Sequence, residues 1–379
     1  MSIRSIMIKP ASGNCNMSCN YCFYCDEMNC REQSNHGFMT YETIENIISK
    51  TLRNANSGIY YSFQGGEPTL CGIDFYKSVI ELQQKYNHNR VPITNVLQTN
   101  GYMLNDEWCQ FFKENYFLIG VSVDGTKEIH DLYRHTKDHS SGTYNRIVSN
   151  IKLLDKYGVD YNILTVVTKQ AAEHITDIYR AYKQHGWHYL QFIDCLDPFQ
   201  SESSTLPYSL DASSFGKYMV TLFDLWFANL QTGQHPYIRR FENYVAILAG
   251  YHPESCEQAG HCGMQIVVEA DGSAYPCDFY AMDSFLLGNF NDNELEEMDA
   301  ARHRLGFIQQ SFKITQTCKE CKYFHICRSG CHRNRIFLPS ENAFQNRLCE
   351  GYRYFFDHCY DRIAHIARMI SNYEKSSEF

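Results

Sequence analysis

The chain has 379 residues, 44% of them hydrophobic and 20% charged, which suits a packed globular protein with one large and one smaller domain. Its formal net charge of −9 argues against a nucleic-acid backbone as the main partner. No apolar run approaches the roughly 20 residues of a membrane span, and Met1-Ser-Ile-Arg-Ser does not read as a signal peptide, so a cytoplasmic protein without a membrane partner is expected. Along the chain, strands are predicted at Ser5–Ile8, Ile59–Phe63, Ile93–Leu97, Phe117–Val123, Tyr161–Val167 and Tyr189–Ile193, mostly rich in β-branched and aromatic residues. Helical periodicity lies between them. Thr40 can cap a helix with Ile44, Ile47, Ile48 and Leu52 on one face, and Phe75, Val79 and Leu82 mark the next. Six strand–helix units predict an α/β fold, a parallel sheet with outer helices closed into a partial (β/α)6 TIM-like barrel, two units short of a full one. Ser201–Ser209 reads as a polar linker, and Phe215 to Leu230 as a core-packing helix. A second region begins near Tyr237, giving domains at 1–235 and 236–379.

The polar motifs follow the predicted strands. Cys15-Asn-Met-Ser-Cys19-Asn-Tyr-Cys22 comes after the first, Gln64-Gly-Gly-Glu-Pro68 after the second and Gln98-Thr-Asn-Gly101 at the third. Ser122-Val-Asp-Gly125 closes the fourth, and Asp194-Cys-Leu-Asp-Pro198 follows the sixth. Each alone could be an ordinary turn, but five on one sheet edge mark a functional face. Three thiolates can hold a four-iron cubane and leave one iron without a protein ligand, and an open iron implies chemistry.

The chain has 17 cysteines, which in a cytosolic-looking protein of this length points to metal rather than disulfides. Six of them (Cys25, Cys30, Cys71, Cys109, Cys195 and Cys359) lack ligand spacing and read as ordinary thiols. So many thiols suit a reducing, anaerobic cytosol. The remaining set is Cys256, Cys262, Cys277, Cys318, Cys321, Cys327, Cys331 and Cys349, enough for two fully ligated cubanes. Zinc is the competing reading, because Cys-x2-Cys pairs also build zinc sites. Asp271-Gly272 predicts a β-hairpin that returns Cys277 and Asp278 toward the rest of the molecule. Asp278, beside a cluster ligand, is either a general base or a solvated hairpin end; burial would raise its pKa toward a value useful for proton abstraction.

The three-cysteine loop with Tyr21 before its last cysteine, followed by Gly65-Gly-Glu-Pro68, resembles the radical S-adenosylmethionine enzymes. The C-terminal cysteines resemble their SPASM extension, and with Cys277-Asp278-Phe-Tyr280 and Asp194-Cys-Leu-Asp-Pro198 the chain is similar to the anaerobic sulfatase-maturating family. That resemblance implies S-adenosyl-L-methionine and three 4Fe–4S clusters as cofactors. It implies that Cys15, Cys19 and Cys22 hold the first cluster, while Tyr21, Gly66, Ser122, Arg134 and Leu196 contact the nucleotide. It assigns Cys256, Cys262, Cys277 and Cys331 to one auxiliary cluster and Cys318, Cys321, Cys327 and Cys349 to the other. Asp278 matches the family's proton acceptor; Tyr24, Gln64 and Arg239 resemble residues lining the peptide site. The implied reaction oxidises a Cys (or Ser) in a sulfatase Cys/Ser-x-Pro/Ala-x-Arg motif to Cα-formylglycine, by 5′-deoxyadenosyl radical abstraction of a β-hydrogen, with flavodoxin or ferredoxin as electron donor.

Three other readings compete. A SPASM enzyme could instead form thioether or other crosslinks in a ribosomal peptide; such enzymes often carry a leader-binding domain, whereas here Ser5 already begins the barrel. A non-catalytic iron–sulfur carrier would need neither a three-cysteine site nor the Gly-Gly-Glu-Pro loop. A zinc-stabilised interaction module would be colourless.

Overall fold

The computed structural model describes residues 4–53, 55–199 and 205–377, so the expected linker Ser201–Ser209 lies outside the described residues up to position 204. The chain forms two compact units, each assembled from separated stretches. The first comprises the chain up to Val123, His130–Ile163 and Met264–Gly306; the second comprises Asp124–Ile129, Leu164–Gly263 and the chain from Phe307. The expected boundary between residues 235 and 236 falls inside the second unit.

In chain order the principal strands are β1 (Arg4–Ile8), β2 (Ile59–Phe63), β3 (Ile93–Thr99), β4 (Leu118–Ser122), β5 (Tyr161–Val167), β6 (Tyr189–Asp194), β7 (Tyr237–Ile238), β8 (Ile266–Val268), β9 (Ser273–Tyr275) and β10 (Gly288–Asn289). In the first unit they lie in the order β10, β9, β8, β1, β2, β3, β4. The run from β8 to β4 is parallel, with Ile6 opposite Ile266 on one side and Tyr61 on the other. The hairpin of β8 and β9 and the β9–β10 pair are antiparallel. Strands covered on both faces read as near-continuous apolar runs, and Ile6, Ile8, Tyr61, Phe63, Leu97, Ile119 and Val121 are all buried.

The helices obey their local signals. Helix Tyr41–Leu52 starts where Thr40 accepts the Thr43 N–H, and it buries Ile44, Ile47, Ile48 and Leu52. Helix Ile73–Tyr86 buries Tyr76 with Val79 and Leu82, while Phe75 is only half-buried. Tyr76 takes the inward place because its ring meets Phe63 and Trp108 and its hydroxyl donates to Pro68 O at 3.0 Å.

In the second unit β5 neighbours β6, and β6 pairs in parallel with β7 through Tyr189 and Tyr237. Helix Ala212–Gln231 is capped by Asp211 and packs against the long helix Cys349–Ser377. Phe223, Trp226, Phe241 and Phe355 form one ring cluster there. Each such buried side chain contributes about 1.5–3 kcal/mol of transfer free energy. Among the described residues no helix is long and apolar enough to cross a membrane.

Candidate active site

The cysteine loop leaves the C-terminal end of β1 and is tied to two neighbouring loops of the first unit. Met17–Cys19 forms a short antiparallel ribbon with Arg134–Thr136, placing Cys19 opposite Arg134. Arg134 then reaches Tyr21, its Nη1 donating to the tyrosine hydroxyl at 2.8 Å, so two expected cofactor residues touch. Cys15 Sγ accepts from Met17 N at 3.4 Å and from Asn100 Nδ2 at 3.8 Å. Burial pushes the Cys15 thiol up to about 12, with Glu67 and the two partner cysteines adding to it.

Gly-Gly-Glu-Pro supplies the second loop. Gly66 N–H donates to Ser12 O at 2.7 Å and Glu67 N–H to Asn14 O at 2.8 Å, and a Cβ at Gly66 would lie 2.1 Å from Asn14 O. Only glycine permits that approach. Glu67 is fully buried and accepts four hydrogen bonds: Thr69 N at 3.0 Å, Thr69 Oγ1 at 2.6 Å, Thr99 Oγ1 at 2.7 Å and Asn100 N at 2.8 Å. Burial raises its pKa against the pull of those donors. One carboxylate thus joins the loops after β2 and β3, and sequence reasoning had passed over it. Ser122 stands half-buried at the end of β4.

The hairpin turn after β8 is as expected: Gly272 has φ +90 and Glu269 N–H donates to Ser273 O at 2.9 Å. It returns the chain to Cys277 and Asp278. Asp278 is buried and receives Gln64 Nε2 on Oδ2 at 2.6 Å, with Lys9 Nζ 2.9 Å from Oδ1. Lys9 lies between Asp278, Glu27 (3.5 Å) and Glu269 (3.9 Å), with Nζ 3.8 Å from the Tyr24 ring centre. Burial opposes the Lys9 charge, but the three carboxylates outweigh it and hold its pKa above the ordinary value. Arg31 binds Glu269 at 2.7 Å, Glu27 at 3.5 Å and the carbonyl of Ala281. Burial pushes Glu27 up to about 7. The hydroxyl of buried Tyr24 finds no hydrogen-bond partner among the described residues, which suits a group completed by a ligand. The structure brings the expected residues Tyr24, Gln64 and Asp278 together with Lys9, Glu27, Arg31 and Glu269, which the sequence reading did not name; the signal in reach was a lysine at a strand's C-terminal end, beside the cysteine loop.

In the second unit Cys318, Cys321, Cys327 and Cys349 line one cavity of about 460 Å3. Cys318 is held down to about 5, first by its hydrogen bond with Cys349, whose own pKa rises. Burial pushes Cys331 far up, and nearby Cys256 and Cys262 add to it. Arg335 threads the ligand loops, donating to carbonyls of Gly260, Ser311, Ser329 and Gly330. Leu196 sits in a loop pinned by Arg347 on Cys195 O and by Arg333 on Asp197 O. Arg239 donates to Glu254 at 3.1 Å and Gln191 at 3.2 Å.

Among the described residues no three metal-binding side chains converge tightly enough to hold a single ion. Four thiols lining one cavity suit a 4Fe–4S cubane.

Residues 10–181 match the Radical SAM superfamily, and residues 256–322 match the Iron-sulfur cluster-binding domain, SPASM. A cysteine-type anaerobic sulfatase-maturating enzyme of Clostridium novyi is 41% identical, over 98% of this chain and 99% of its own. A serine-type anaerobic sulfatase-maturating enzyme of Bacteroides thetaiotaomicron is 33% identical, over 93% and 88%. The solved structure of native anSMEcpe with bound AdoMet and Cp18Cys peptide superposes with a TM-score of 0.91 at 38% identity, covering 97% of this chain and 100% of that one. S-adenosylmethionine and 4Fe–4S clusters are the cofactors of this fold. With its radical S-adenosylmethionine α/β fold and iron–sulfur extension, the chain belongs to the anaerobic sulfatase-maturating enzymes.

Proposed function

We propose that the chain oxidises the β-carbon of a cysteine, and more weakly of a serine, in a sulfatase peptide to Cα-formylglycine. The single observation that carries this reading is the Asp278 carboxylate, buried directly after Cys277 and held by Gln64 and Lys9. The greater identity to the cysteine-type relative favours cysteine as the target. Cys15, Cys19 and Cys22 are assigned to the first cluster, with Tyr21, Gly66, Ser122, Arg134 and Leu196 around the nucleotide. Cys318, Cys321, Cys327 and Cys349 are assigned to one auxiliary cluster, and Cys256, Cys262 and Cys331 to the other, with Cys277 as the fourth ligand by the family pattern. The shared cavity of the first four supports that partition.

When bound, these groups supply the 5′-deoxyadenosyl radical and a sink for one electron. The substrate side chain loses a hydrogen atom, a proton and an electron, becoming a thioaldehyde that water converts to the aldehyde with release of sulfide. Asp278 takes the thiol proton on its carboxylate, the Gln64 amide keeps that carboxylate in place, and the Tyr24 hydroxyl and Arg239 bind the peptide. The client is a sulfatase bearing a Cys/Ser-x-Pro/Ala-x-Arg motif, the electron donor a flavodoxin or ferredoxin, and the setting an anaerobic cytoplasm. Mass spectrometry of a Cys-x-Pro-x-Arg peptide after anaerobic turnover tests the reading. Loss of sulfur with gain of oxygen is expected; loss of two hydrogens alone would mean crosslinking. Asp278→Asn should abolish the aldehyde while 5′-deoxyadenosine still forms, and unchanged peptide oxidation would remove Asp278 from the chemistry.

A further inference from the structure

A proton acceptor must be held in one direction as well as be basic. Asp278 Oδ2 accepts from Gln64 at 2.6 Å, and Oδ1 lies 2.9 Å from the Lys9 ammonium as an ion pair without hydrogen-bond geometry, with 10% of the side chain still exposed. Lys9 is fully buried, so its ammonium has no solvent of its own. The other carboxylates around it have a separate cation: Arg31 reaches Glu269 at 2.7 Å and Glu27 at 3.5 Å. Of these five groups, Asp278 alone is paired with Lys9 and not with Arg31. If Lys9 served only to balance charge, its closest contact would have no reason to be the one carboxylate that reaches the open side of the cluster. Instead its contacts to Glu27 and Glu269 are 3.5 and 3.9 Å, longer than the 2.9 Å to Asp278. Its tether is short, because it directly follows β1, whose Ile8 pairs with both Phe63 and Val268.

We infer that Lys9 is a positioning residue for Asp278. It fixes Oδ1 from the floor of the site while Gln64 fixes Oδ2, so the exposed edge of the carboxylate meets the substrate thiol in one orientation. Glu27 and Glu269 hold the lysine in turn, and the Tyr24 ring packs over the ammonium, a contact that is favourable when desolvated. This rests on the reading of Asp278 as the proton acceptor.

Lys9→Met alone would leave three buried carboxylates to one arginine and could prevent folding. The informative variant is therefore Lys9→Met/Glu27→Gln, which removes the ammonium together with one of its acidic neighbours and keeps the Arg31–Glu269 pair. Full-length, reconstituted protein is assayed anaerobically for 5′-deoxyadenosine and for peptide product, with iron content and visible absorbance as controls. The double variant should keep its clusters and cleave S-adenosylmethionine, while product per 5′-deoxyadenosine falls by about tenfold or more, through kcat rather than KM. Glu27→Gln alone, which keeps the ammonium 2.9 Å from Asp278, should lose far less of the ratio than the double variant. A double variant with wild-type coupling would reduce Lys9 to charge balance and overturn the inference. A double variant that loses its iron or its S-adenosylmethionine cleavage would overturn it too, making Lys9 a residue of the fold. The ratio is taken against whatever product the wild-type protein forms, so a wild-type product other than formylglycine refutes the proposed function separately.

Discussion

Gly66→Ala tests how closely the cofactor loops are fitted to one another. The new methyl would lie 2.1 Å from Asn14 O and 2.6 Å from Asn14 C, roughly 1 Å short of ordinary contact. Both obstacles are backbone, so no side chain can swing aside. The two loops are joined there by Gly66 N–H to Ser12 O at 2.7 Å and Glu67 N–H to Asn14 O at 2.8 Å. Parting them by roughly 1 Å takes both bonds beyond hydrogen-bonding range. Losing two bonds at about 0.5–1.5 kcal/mol each, with about 1–3 kcal/mol of overpacking, gives about 2–6 kcal/mol. Cys15 follows Asn14 directly, so the thiol moves with the strain. A misplacement of that size costs on the order of a hundredfold in rate. Anaerobic 5′-deoxyadenosine formation and S-adenosylmethionine binding are the assays. Gly72→Ala is the control, because Gly72 has positive φ (77), unlike Gly66, but has open space where a Cβ would stand. Its backbone (φ 77, ψ 161) should make alanine cost about 1–3 kcal/mol of stability while the cleavage rate is kept. Wild-type cleavage by Gly66→Ala would refute the argument that this backbone contact sets the cofactor loops.

Cys349→Ser should remove about one third of the protein's iron and leave S-adenosylmethionine cleavage measurable; unchanged iron would take Cys349 out of the ligand set. Arg240→Met strands Asp194, bound through two contacts of 3.0 Å, and Glu257 at 3.2 Å. It should cost about 3–5 kcal/mol in anaerobic denaturant unfolding. Glu27 keeps its proton to about pH 7 in the folded chain because of burial, against an ordinary value of 4.5. Its contribution to stability is therefore complete below pH 4.5 and lost as pH rises through 7. Between about pH 5 and pH 8 the wild-type protein should lose up to about 3 kcal/mol more than Glu27→Gln, seen as diverging unfolding midpoints.

Local chemistry made much of this legible. Cys15, Cys19 and Cys22 are within one turn of chain, and the strands from Ile59 and Tyr161 announce themselves by composition. The turn at Asp271-Gly272 needs nothing beyond its own residues. The choice between Phe75 and Tyr76 was not legible, because it depends on rings from Phe63 and Trp108 that only the fold brings there. Nor were Lys9, Glu27, Arg31 and Glu269. Charged residues scattered over the chain read as solvated, and these become a buried group only when β8 lies against β1. Glu67 looked like part of a turn because its donors, Thr99 and Asn100, sit on another strand end.

The pairing of Ile6 with Ile266 carries a consequence for biosynthesis. One flank of the earliest strand stays uncovered until two-thirds of the polypeptide has left the ribosome. Such distant pairing slows folding and leaves an unprotected strand edge on the nascent chain.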